Sequence, residues 1–257
     1  MRDALKDRWL QSGVEAGDTL LVHSNIKRTL VEFRRAGMAI TPDDILHSFL
    51  DAVGPQGTLL LPLFNFDYAG GKDFDIRSTP SQMGVLTEAG RLHPDAVRTG
   101  HPIYSFAAIG HQAQAFANVD NQSGYAEDSP FGILKRLDGK IASLDLDDQD
   151  SMTFYHHVEE VKQAPYRYFK TFTADYTGWD GVAQQKSYQL YVRDVARGVL
   201  TDVNPAGELM WENGLYQGSR PKVGSGLRTV KCQAMFGFVA SLIDGGKALG
   251  TLYSVEK

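Results

Sequence analysis

Two short, largely apolar runs, Thr19-Leu20-Leu21-Val22-His23 and Thr58 to Phe64, constrain this chain more than any other feature of it. A strand that is apolar at consecutive positions, rather than at alternate ones, has both faces buried, as in a parallel sheet covered by helices on both sides. Between the runs lies Thr41-Pro42-Asp43-Asp44: a cap residue, a proline suited to a first turn, and two carboxylates at the positive end of a helix. Ile45, Phe49, Leu50 and Val53 then follow at helical spacing, and Gly54 closes the segment. Strand, helix, strand in this order predicts a parallel βαβ unit.

The same reading extends along the chain. It predicts a short helix over Leu5 to Gly13 and another over Ser81 to Leu92, stopped by Pro94. A third strand is expected from His101-Pro102 through Ile109, with a weak helix at Ala113 to Phe116. Ser129-Pro130 starts a helix, Asp138-Gly139 turns, Lys140 to Leu146 reads as a strand, and Ser151 to Gln163 as one helix ended by Pro165. Pro165 to Tyr191 is dense in alternating aromatics and predicts antiparallel strands around Gly178-Trp179-Asp180-Gly181. From Val223 to Ile243 a glycine-rich entry is expected to lead directly into a helix. With no repeat, linker or low-complexity stretch, the expectation is a single α/β domain over residues 1–257, its central mixed, mostly parallel sheet flanked by helices.

Composition excludes several functions. The chain has 257 residues, enough for a sizeable core, and its 26 basic residues are outnumbered by 31 acidic ones, for a formal charge of -5. No global field favours a polyanion, so nucleic acid is not the expected partner. Cys232 is the single cysteine, which precludes an internal disulfide or a cysteine-rich zinc site and fits a reducing compartment. The charged stretch Met1 to Gln11 is not expected to be a secretory leader, and no apolar run approaches the ~20 residues that span a bilayer. The expected location is the cytoplasm.

Familiar sites are missing. There is no phosphate loop of the G-x-x-x-x-G-K-[ST] type, no G-x-S-x-G elbow and no H-E-x-x-H zinc helix. Gly224-Ser225-Gly226 lacks the third glycine of a dinucleotide fingerprint, Thr229 standing in its place. The densest polar constellation is Ser151-Met152-Thr153-Phe154-Tyr155-His156-His157-Val158-Glu159-Glu160. Residues three or four apart share a helix face, so His156 reaches Glu159 or Glu160, and His157 reaches Glu160. A histidine close to a helix N-terminus is kept neutral by the macrodipole, ready to accept a proton, while a neighbouring carboxylate stabilises the charge once it forms. For an arbitrary His-x-x-Glu an exposed ion pair is the commoner outcome. A metal site would need more ligands than this turn supplies.

These residues carry a resemblance to the aminoglycoside 3-N-acetyltransferase family. Gly17-Asp18-Thr19-Leu20-Leu21-Val22-His23-Ser24 resembles its opening strand, and Gly57-Thr58-Leu59-Leu60-Leu61-Pro62 its second. Ser81 to Arg91, His101-Pro102 with Ser105-Phe106-Ala107-Ala108-Ile109-Gly110, and Asp128-Ser129-Pro130-Phe131-Gly132 follow in the family's order. Most specific is Thr153-x-x-His156-x-x-Glu159, similar to the stretch that carries the family's catalytic histidine. The resemblance implies the family's three-layer fold and transfer of an acetyl group from acetyl-CoA to a sugar amine. In this reading His156 is the general base and Glu159 orients it. Ser24, Thr153, Gly224 and Ser225 are expected near the coenzyme, with no metal involved. It also selects His156 over His157, which periodicity alone does not.

Other assignments stay open at this stage. Asn25 stands where the family usually has a second serine. His101 is expected to fix the strand start with Pro102, and Glu88 to pair with Arg91. The run Leu144-Asp145-Leu146-Asp147-Asp148-Gln149-Asp150 would suit a polycationic aminoglycoside, but the preferred reading is a solvated loop. The aromatics from Tyr166 to Trp179 suit either sugar stacking or a core. The acceptor is expected to be an aminoglycoside or related amino sugar, with a nucleotide-linked or envelope amino sugar as the alternative. A CoA- or sugar-binding relative without turnover and a metal-dependent hydrolase using His156 and His157 are the other classes, and a homodimer is left open.

Overall fold

The computed structural model describes residues 1–256. Its main sheet has seven strands in the order β10 (Gln217–Gly218), β11 (Leu227–Lys231), β6 (Lys140–Leu144), β1 (Thr19–Ser24), β2 (Thr58–Pro62), β5 (Phe106–Gly110) and β4 (Val97–Arg98). β1 runs parallel to both β2 and β6, Leu21 pairing with Leu60 and with Ile141. The other four pairings are antiparallel, so the sheet is mixed as expected but parallel only at its centre.

The two apolar runs do what their composition requires. Alternate residues of one strand feed opposite layers: Leu20 and Val22 join one hydrophobic cluster, and Leu21 joins the other. On the first face lie α1 (Arg2–Gln11), α2 (Lys27–Arg35), α3 (Pro42–Val53) and α4 (Val85–Leu92), with Trp9 stacked on Phe49 at 4.5 Å between ring centroids. On the second lie α5 (Pro130–Arg136), α7 (Phe154–Val161), α8 (Asn204–Glu212) and α9 (Cys232–Asp244), with the one-turn α6 (Asp148–Ser151) at its edge. Thr41 and Asp44 form the reciprocal cap at the start of α3 that their spacing predicts.

Several expectations need correction. α2 fills the βα connection, where no helix was expected. The glycine-rich entry at residues 224–226 leads into β11, not into a helix, because Leu227 to Lys231 pairs with β6 and only then does α9 begin. The helix expected over Ser151 to Gln163 is two: Ser151 Oγ donates back to the Asp147 carbonyl at 2.5 Å, Met152 leaves helical geometry, and α7 starts afresh at Phe154. His101 to Ser105 is irregular, with His101 Nδ1 accepting from the backbone N–H of Ile103 and Tyr104. Residues 113–116 form a single 3-10 turn.

The aromatic segment builds the hairpin β7 (Arg167–Thr177) and β8 (Ala183–Arg193), which the short β3 (Phe74–Asp75) extends in parallel. Buried Tyr68 donates to the Lys186 carbonyl at 2.6 Å and holds the hairpin against the second face. β9 (Val199–Thr201) pairs with β12 (Tyr253–Val255) nearby. Among the described residues no helix is long and apolar enough to cross a membrane.

Candidate active site

The break at Met152-Thr153 sets the geometry of the site. Because α7 begins at Phe154, His156 sits in its first turn and Glu159 one turn on, on the same face. His156 Nδ1 lies 2.8 Å from Glu159 Oε2. An ionised carboxylate only accepts, so Nδ1 carries the hydrogen and Nε2 presents its lone pair to whatever lies beyond. The His156 side chain keeps 20% of its surface exposed, whereas Glu159 has none.

Sequence reasoning missed the third member. Arg167, the first residue of β7, puts Nε 2.7 Å from the same oxygen of Glu159 and is itself buried. No motif marks it, since it is one basic residue in an aromatic strand. Burial alone would raise the Glu159 carboxyl, but Arg167 and His156 outweigh it and hold it below the ordinary carboxylate range. Burial lowers His156, Arg167 pushes the same way, and the bond to Glu159 pulls back. Burial is thus the larger cause of a neutral imidazole at this helix N-terminus.

Of three cavities in this region, two reach this histidine and the other adjoins one of them. The first, of about 520 Å³, lies at the C-terminal ends of the parallel strands, where open α/β sheets bind ligands, and is lined by His23 and Ser24 of β1, Pro62 of β2 and the starts of α2 and α4. Asp150 lines both it and a second cavity of about 70 Å³, which reaches Thr153 and His156. On the other side of His156 a third opens, about 300 Å³, between Tyr104, Tyr125 and the base of the hairpin. His156 therefore stands between two chambers. His23 is buried, its Nε2 has no partner among the described residues, and burial together with Arg228 lowers it to about 3, so it faces the first chamber neutral.

Ser24 and Thr153 line these cavities, but Gly224 and Ser225 do not: the Gly224 carbonyl accepts from Arg28, and Ser225 Oγ is engaged with Ser12 and Ser219. Asn25 takes up a structural task, its Oδ1 accepting from Lys27 N–H at the start of α2. His157 points away from His156 into the core, Nδ1 lying 2.7 Å from the Tyr125 carbonyl, so the two rings do not converge on a metal. Among the described residues no three His, Cys, Asp or Glu side chains are placed to hold one. Glu160 is buried beside Ser123 and pushed up to about 7 by that burial. Glu88 pairs with Arg91. The acidic run is not a solvated loop: Asp145 holds Arg28 at 2.8 Å, and buried Asp148 accepts from Tyr155, Tyr216 and Arg228.

Residues 21–243 match the family model described as aminoglycoside 3-N-acetyltransferase. Aminoglycoside N(3)-acetyltransferase III of Pseudomonas aeruginosa is 28% identical over 60% of this chain and 62% of its own length. The type VII enzyme of Streptomyces paromomycinus is 30% identical over 61% and 59%. This chain thus spans about three fifths of the length of the curated relatives it matches. The solved structure described as AAC-IIIb binary with CoASH superposes with a TM-score of 0.76 at 22% identity, covering 96% of this chain and 97% of that one. With the model covering most of its length and the three-layer architecture repeated in full, the chain belongs to the aminoglycoside 3-N-acetyltransferase family.

Proposed function

We propose that the protein is an acetyl-CoA-dependent N-acetyltransferase acting on the amine of an amino sugar, with His156 as general base. The observation that carries this is the anchoring of His156 Nδ1 by a buried, ionised Glu159, with the remaining nitrogen turned toward the junction of two chambers. An ammonium has no lone pair, so the acceptor must lose a proton before or during attack, and a neutral imidazole at this junction is suited to take it. When bound, the coenzyme supplies an acetyl thioester.

In this reading the coenzyme occupies the 520 Å³ cavity, where Ser24 offers a hydroxyl near the sheet's C-terminal edge. Thr153 sits on the side of His156 nearer that cavity. The acceptor enters from the hairpin side and presents its amine to His156 Nε2. The new C–N bond forms as the C–S bond breaks, and the proton gained by His156 passes to the departing sulfur. Glu159 stabilises the imidazolium in between, and Arg167 limits its lifetime. A cytoplasmic location fits both acetyl-CoA supply and the buried, unpaired Cys232.

Titration calorimetry with acetyl-CoA, followed by thiol release against a panel of amino sugars, tests the reading. Binding with amine-dependent thiol release is expected. No binding would refute it, and binding without release from any amine would leave a coenzyme-binding relative in its place.

A further inference from the structure

Resting on the acetyl-transfer reading above, we propose that the acceptor is an amine that also carries a negatively charged group, a phosphate or a carboxylate, and that a polycationic aminoglycoside is disfavoured.

The lining of the 300 Å³ chamber contains no aspartate or glutamate but three cations, Arg167, Lys170 and Arg193. The charge of Arg167 is spent on Glu159. Lys170 and Arg193 have no carboxylate within ion-pairing distance among the described residues; the neighbouring Asp194 is turned away, accepting from Arg197 N–H. With His156 neutral, two uncompensated positive charges remain at the mouth. A ligand carrying several ammonium groups is repelled there, while one anionic substituent is attracted and steered.

Their placement follows from the hairpin register. Tyr168, Lys170 and Phe172 share one face of β7, opposite Val192, Leu190 and Tyr188 of β8, and Lys170 Nζ lies 5.2 Å from the Phe172 ring centroid. Arg193 pairs in register with Arg167, which places it at the hairpin base beside the histidine. Deeper in, Tyr125 is 4.8 Å from Tyr104 and 5.3 Å from the His156 ring, forming an aromatic wall for a sugar or base face. A ligand with its amine at His156 and its ring on that wall would bring its anionic group to the chamber mouth, which Lys170 and Arg193 both line from opposite faces of the hairpin. The acidic run that a polycation would seek is committed elsewhere: Asp145 to Arg28 and Asp148 to Arg228. Asp148 and Asp150 line the small cavity on the coenzyme side of His156, and neither lines the acceptor chamber.

The test is titration calorimetry on the protein saturated with CoA, using glucosamine, glucosamine 6-phosphate, 2-amino-2-deoxyglucuronic acid and tobramycin, repeated with a Lys170→Gln/Arg193→Gln double variant. Both positions are exposed, so the variant should fold. At least one anionic amine should bind about tenfold or more tightly than glucosamine, and the variant should lose that preference; the phosphate and carboxylate arms show which anion is read. Tighter binding of tobramycin, no preference for either anionic amine, or a preference that survives in the variant would each overturn the inference. Acetyl-CoA binding and thiol release measured in parallel keep the two readings apart, since a working transferase that prefers tobramycin sinks only this one.

Discussion

Arg167 Nε and His156 Nδ1 converge on one oxygen of Glu159, at 2.7 and 2.8 Å. The carboxylate therefore answers to two cations whenever the histidine is protonated, and to one when it is not. Arg167 keeps Glu159 ionised in a fully buried site and, by the same charge, makes the imidazolium easier to discharge. In the proposed reaction, a base that must return its proton to a leaving sulfur within each cycle gains from both effects.

Substitutions at the two partners should therefore move His156 in opposite directions. Glu159→Gln removes the group that pulls the histidine up, so the acidic limb of the kcat/KM profile should shift to lower pH, with turnover reduced about tenfold or more. Arg167→Gln removes a group that pushes it down, so the limb should shift to higher pH. Each change leaves a buried charge with less compensation, and loss of about 3–5 kcal/mol of stability is expected. Shifts of the same sign in both variants would break the proposed three-membered arrangement.

Glu160 should reveal itself through stability. Its carboxyl is pushed from 4.5 to about 7 by burial, against a hydrogen bond from Ser123. Between pH 4.5 and 7 the folded chain holds a proton that the unfolded chain has released, so this group's contribution is full below pH 4.5 and is lost as pH rises through 7. Glu160→Gln cannot ionise. Thermal melts should show a gain of several degrees for the variant at pH 8 that disappears near pH 4.5; an equal effect at both values would mean that Glu160 is not protonated in the folded state.

At the other chamber, Ser24→Ala removes a hydroxyl that lines the 520 Å³ cavity. Acetyl-CoA affinity should fall about three- to tenfold, the loss of one neutral hydrogen bond, with kcat at saturating coenzyme little changed. Unaltered affinity would show that the coenzyme does not contact the end of β1.

Much of the fold could be read from the chain because local signals agreed with the tertiary outcome: the apolar β1 and β2, the Thr41–Asp44 cap and the aromatic hairpin all form as their patterns predict. β11 was hidden by Arg228, a buried cation whose cost is met by Asp148, a pairing made 80 residues away and invisible to periodicity. The break before α7 was hidden because Met152 leaves helical geometry within a stretch whose spacing reads as one continuous helix. In the site, His156 and Glu159 were accessible as neighbours on one helix turn, whereas Arg167 joins them only when the hairpin folds back. The acidic run misled for the same reason, two of its charges, Asp145 and Asp148, being cancelled by Arg28 and Arg228 from distant segments.

The most direct test compares acetyl transfer by His156→Ala and His157→Ala under saturating acetyl-CoA, with coenzyme affinity measured alongside. His156→Ala should lose about a hundredfold or more in kcat while binding acetyl-CoA normally. His157→Ala deletes a ring that is fully buried against Tyr125 and should melt earlier, yet keep most of its turnover per folded molecule. Turnover by His156→Ala within a few-fold of the parent protein, or a greater loss in His157→Ala at equal folded fraction, would contradict the assignment of His156 as the base.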